Sequence, residues 1–136
     1  MQEPITQEHG TGCGVACVAF VLGISYQKAL GLFKNPQHAW EGKGYYCKDI
    51  IEALKKAGLD YSYKQITELP LTIKPGIIVF TEPSKNYPRG HYLAQTKDNK
   101  WMNPWINFPH IAPAKSGFQD KLPDKPIWII NQCNRS

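Results

Sequence analysis

The sequence predicts an α+β domain with helices first and antiparallel strands second. Three observations carry this prediction. Apolar residues between positions 13 and 57 recur at helical spacing. From about residue 60 the apolar runs turn short, β-branched or aromatic, and Pro and Gly break them up. The length of 136 residues, with 42% apolar and 20% charged, suits one domain around one core, spanning 1–136.

The elements follow in order. Residues 1–12 read as an irregular lead-in. The stretch CGVACVAFVL at 13–22 is apolar on nearly every side, the pattern of a buried central helix, and Gly23 ends it. Ser25 is placed to cap a second helix, from Tyr26 to about Phe33, with Ala29, Leu30 and Phe33 on its buried side. Pro36, Gly42 and Gly44 make 34–46 a loop. A third helix, Cys47 to Ala57, buries Ile50, Ile51, Leu54 and Ala57 and sets Glu52 four residues before Lys56. Strands are expected at 60–66, 76–81, 90–96, 101–103 and 127–131, with Pro70 and Pro75 as punctuation. The turn at 97–100 makes a hairpin of the third and fourth strands. Four prolines within 104–125 suggest a long surface excursion.

Composition excludes several classes. The net charge is +5, yet the lysines are scattered and form no stripe, so no nucleic-acid surface is expected. No run of 18 apolar residues predicts a membrane span. The start, MQEPITQEHG, has neither a basic n-region nor an apolar h-region. A cytoplasmic protein is expected as synthesised, with export by a route lacking a cleavable signal left open. The four cysteines, 13, 17, 47 and 133, contain no CxxC pair, and Cys13 and Cys17 share one helix face, a poor disulfide geometry. Reduced thiols are expected. Cys17, Cys47 and Cys133 read as buried packing thiols.

Cys13 is the chemical focus. Gly12 and Gly14 flank it where a polar segment enters the first helix. The helix N-terminus favours thiolate over thiol there. A nucleophilic thiol needs a base, a group to orient that base, and donors for an oxyanion. Of the histidines at 9, 38, 91 and 110, His91 lies in a predicted strand, which holds a side chain well. Asn103 is on the return arm of the hairpin, where it can orient an imidazole. Gln7 and the Cys13 N–H supply oxyanion donors. Each residue also has a plain alternative: a strand histidine with a hydrogen-bond partner, an Asn-Pro that ends a strand, a solvated glutamine. Zinc on His9, Cys13, Cys17 and His91 is disfavoured, because neither CxxC nor HExxH is present, and no cofactor is expected. Trp40, Tyr45, Tyr46, Trp101 and Trp105 are candidates to wall a cleft, though core packing is the commoner use of such residues.

Gln7, five residues, then Cys13-Gly14 opening an apolar helix resembles the papain-like cysteine peptidases. The segment looks most like the bacterial C39 branch of bacteriocin-processing peptidase domains and their stand-alone relatives. Gly90-His91-Tyr92-Leu93 and Asn103-Pro104 are similar to that branch's later segments. The resemblance implies a papain-like fold and a Cys13-His91-Asn103 triad with Gln7 at the oxyanion. It implies a peptide or amide bond cleaved through a thioester acyl-enzyme, with a peptide or protein substrate as partner. A protein inhibitor or immunity partner is a further partner class. An acyltransferase or transglutaminase, a toxin or effector using the same site, and an inactive peptide-binding module are the alternatives. Two residues depart from the branch: Gly12 stands where an acid is usual, and Asn103 where Asp is usual. No transmembrane or ATPase part is present in the sequence, so leader removal coupled to export is not expected of this chain by itself.

Overall fold

The computed structural model describes residues 3–66, 76–109 and 113–133. Pro70, Pro75 and His110 lie outside the described residues. Within them, helices α1 (Cys13–Leu22), α2 (Tyr26–Leu30) and α3 (Cys47–Lys56) come first. Strands β1 (Tyr61–Gln65), β2 (Ile78–Thr81), β3 (His91–Gln95), β4 (Trp101–Asn103), β5 (Gly117–Gln119) and β6 (Pro126–Gln132) follow. They form one antiparallel sheet in the order β1-β6-β2-β3-β4-β5.

Helix α1 is the centre of the helical layer. Val15, Ala16, Cys17, Val18 and Ala19 are fully buried, as expected of a helix apolar all round. It packs on β3 and touches both α2 and α3. The sheet divides its side chains by the strand period of two. Ile78, Tyr92, Ala94, Met102 and Ile130 join the core under the helices. Ile77, Val79, Leu93, Trp101 and Ile129 form a second apolar cluster. Strand β3 is buried along its whole length, which makes it a fixed frame for whatever its side chains do.

Three elements differ from expectation. Helix α2 ends at Leu30, not near Phe33. The Ser25 hydroxyl caps it as predicted, accepting the Lys28 N–H at 3.1 Å. Gly31 is a poor helix former, and the chain beyond it tightens into i→i+3 bonds, Leu32 N–H to Ala29 O and Phe33 N–H to Leu30 O. The expected loop at 34–46 contains a 3-10 turn, Pro36–Ala39, which Tyr45 anchors by donating its hydroxyl to the Asn35 and Pro36 carbonyls. The expected excursion at 104–125 contains β5. This three-residue strand pairs Gly117 with Asn103 and Gln119 with Trp101. Three residues are too few to show alternation, and the open edge of β4 makes the strand. Phe118 then turns to Phe20 of α1, with ring centroids 6.1 Å apart.

All four cysteines are free. Cys17 is fully buried, but Cys133 is exposed, contrary to expectation. It lies just past the end of β6, where its N–H donates to the carbonyl of Asp60, the residue before β1.

Candidate active site

Cys13 is the first residue of α1 and is half-buried. A Cβ on Gly12 would run into the Tyr26 hydroxyl, so any larger residue here requires the Tyr26 ring to shift. The backbone N–H groups of Tyr92, Gly14 and Cys13 itself face the sulfur and lower its pKa. Burial acts the other way and is larger, so the thiol is pushed up to about 11. The helix N-terminus alone predicts a thiolate here. Loss of hydration outweighs it, and the resting group is a thiol.

His91 begins β3 and is 2% exposed. Its Nε2 lies 2.7 Å from Asn103 Oδ1, across the β3–β4 hairpin. Asn103 Oδ1 also accepts the Trp105 N–H at 2.9 Å, so this atom is an acceptor and His91 Nε2 carries the proton. The neutral ring therefore keeps its lone pair on Nδ1. Burial, the largest influence, lowers the His91 pKa to about 4, against the opposing effects of the Asn103 bond and Asp124. At neutral pH both Cys13 and His91 are uncharged.

One cleft of about 1020 Å³ reaches both residues. Tyr45, Tyr46 and Trp105 line it, as do Phe80, Tyr92 and Trp128, which were not anticipated. Trp101 is instead core, and Trp40 is 55% exposed beside the His9 ring. Cys47 also lines the cleft, where the Tyr92 hydroxyl approaches its sulfur at 3.8 Å.

Gln7 is buried at 1% exposure, and its backbone N–H donates to Pro104 O at 3.2 Å. Its side-chain NH2 donates to the carbonyls of His9 at 2.9 Å and Gly10 at 3.3 Å. In this orientation the amide braces the turn that leads into Cys13. It does not line the cleft. Tyr87 and Gln119 were missed altogether. The Tyr87 ring stacks on His91 at 3.9 Å and 4°, and Gln119 sits on the unpredicted β5. A tyrosine in a loop and a glutamine in a proline-rich stretch carry no local signal of such use.

Among the described residues, no group of three or more His, Cys, Asp or Glu is placed to hold a metal ion. Among them, too, no helix is long and apolar enough to cross a membrane.

The depressed His91 pKa has a consequence for stability. Below pH 6.5 the unfolded chain takes a proton at this position that the folded chain refuses until about pH 4. Stability from this group is present above pH 6.5 and is lost as pH falls towards 4. The expected loss is about 3 kcal/mol, read as a falling urea midpoint. His91→Gln should flatten that part of the curve. An equally steep fall in the variant would assign the effect to other groups.

A helical layer led by Cys13, packed on one antiparallel sheet that bears His91 and Asn103, is an α+β fold similar to that of a solved peptidase domain. The solved structure that carries this comparison is the peptidase domain of Streptococcus ComA, described as a bi-functional ABC transporter involved in a quorum-sensing pathway. The TM-score is 0.54 over 99% of this chain and 100% of that domain, at 18% identity. No protein-family model matches the sequence, and no curated protein does.

Proposed function

We propose that this chain is a cysteine peptidase, with Cys13 as nucleophile, His91 as general base and acid, and Asn103 as the residue that orients His91. The observation that carries the reading is the buried 2.7 Å bond from His91 Nε2 to Asn103 Oδ1, beside a cleft that also reaches Cys13. That bond leaves Nδ1 free to take the thiol proton. Because both groups rest neutral, proton transfer accompanies attack on the carbonyl instead of preceding it. The resulting imidazolium then donates its proton to the leaving amine, and a thioester on Cys13 remains. His91 next draws a proton from water as it attacks the thioester, releasing the acid and restoring the thiol.

The Cys13 N–H is the available oxyanion donor, and such a donor contributes about 3 to 4 kcal/mol in comparable sites. Gln7 supports it by bracing the entry to α1. Joining as a second donor would require its amide to leave the His9 and Gly10 carbonyls. The substrate is a peptide or protein segment laid in the aromatic-walled cleft.

The test is to incubate the protein with a mixture of unstructured polypeptides and read new N-termini by mass spectrometry. Rapid acid quench should recover an acyl group on Cys13. Transfer of that acyl group to an added amine, in place of water, would make the enzyme an acyltransferase. Bound peptides with neither cleavage nor an adduct would make the chain a binding module.

A further inference from the structure

Taking Cys13, His91 and Asn103 as the triad proposed above, we infer that Tyr87 and Gln119 are positioning residues that fix the amide of Asn103 and, through it, the tautomer of His91. An asparagine amide can sit either way round, and only one way presents an acceptor to the imidazole. Here both of its ends are specified. Asn103 Nδ2 donates to the Tyr87 hydroxyl at 3.0 Å and to Gln119 Oε1 at 2.8 Å. Each of these acceptors is held in that role by a backbone carbonyl. The Tyr87 hydroxyl places its own hydrogen on Trp105 O at 2.8 Å, so only its lone pairs face Asn103. Gln119 donates its Nε2 to Lys121 O at 2.6 Å, so Oε1 is the end turned to Asn103.

The chain of direction therefore runs from two main-chain carbonyls to two side chains, then to Asn103, then to His91. A reversed Asn103 amide would set its NH2 against the Trp105 N–H and the His91 Nε2 proton. It would also set its oxygen against Gln119 Oε1. The imidazole would then have to carry its proton on Nδ1, where it would no longer accept the thiol proton. Tyr87 adds a second constraint, because its ring lies flat on the imidazole and holds the ring plane. A small second cavity of about 260 Å³ borders Asn86, Tyr87, Asn103 and Gln119 on this side of the site. Gln119 is half-buried, so its replacement leaves the main core untouched.

The experiment uses the full chain with 15N-labelled histidine, in wild type and in Tyr87→Phe, Gln119→Leu, Gln119→Glu and the Tyr87→Phe/Gln119→Leu double variant. Tyr87→Phe keeps the stacked ring and removes only the hydroxyl. Gln119→Glu keeps an acceptor for Asn103. The His91 nitrogen shifts should report the Nε2–H form in wild type and in Gln119→Glu, and a mixture of tautomers in the double variant. Turnover, kcat/KM, should fall about tenfold in Tyr87→Phe and in Gln119→Leu, with the larger part in kcat. In an Asn103→Ala background the same changes should cost nothing further.

An unchanged tautomer in the folded double variant would overturn the inference. So would an undiminished loss in the Asn103→Ala background. The two single variants decide the matter if the double variant does not fold. The nitrogen shifts need no substrate. A wild type that turns over nothing yet shows this tautomer pattern would end the peptidase reading and leave the positioning roles standing.

Discussion

Cys13→Ala and His91→Ala are each expected to lower peptide turnover on the order of 10⁵-fold while leaving the chain folded. The nucleophile and base act as one unit, so the double variant should be no slower than either single variant. Cys13→Ala opens no large hole, because Cys13 is half-buried at a helix end, whereas His91→Ala empties a buried site and should lower the urea midpoint without unfolding the chain. Asn103→Ala should fall between these variants and wild type, because it leaves the imidazole in place but free to choose its tautomer. Measured kcat/KM on any peptide found by mass spectrometry checks the set. Full activity in Cys13→Ala would refute the mechanism outright.

Gly90→Ala is expected to destabilise the fold by about 3 kcal/mol or more. Gly90 has φ +79°, a left-handed conformation that costs a residue with a Cβ. A Cβ there would also lie 2.8 Å from the Thr81 carbonyl oxygen and collide with the Phe80 ring. The Phe80 side chain has somewhere to turn, because it lines the cleft, but the β2 backbone has not. Relief must come from moving residue 90, which directly precedes His91. Activity should therefore fall by more than stability alone explains under conditions where the variant remains folded. Equilibrium urea unfolding together with the His91 nitrogen shifts measures both effects. A midpoint within experimental error of wild type would show that the left-handed turn is not required.

Most of the fold was legible because α1, α3, β2 and β6 carry strong local patterns. The run from Val15 to Ala19 has no polar side, and Ile50 and Leu54 keep helical spacing. Strand β5 was not legible: Gly117, Phe118 and Gln119 have no strand signature, and the unpaired edge of β4 dictates their conformation. The spacing of Gln7 from Cys13 and the hairpin between His91 and Asn103 could be read from residue types and turn chemistry. Their side-chain orientations could not. Which way the Gln7 amide faces depends on two carbonyls in its own turn. The charge state of Cys13 could not be read either. A helix start argues for thiolate, and only the packed structure reveals the desolvation that opposes it.

The last of the described strands is not at the edge of the sheet. Strand β6 lies between β1 and β2, so residues 126–132 join two parts of the sheet that, among the described residues, have no other strand pairing between them. The contacts that close the sheet are thus of high contact order, a topology that slows folding. During synthesis from the N-terminus, Cys13 leaves the ribosome well before His91, Asn103, Gln119 and β6. A growing chain thus exposes Cys13 before His91 and Asn103 exist, and the sheet is completed only after residues 126–132 have emerged. If the full chain has the proposed peptidase activity, a nascent chain halted before residue 126 should lack it.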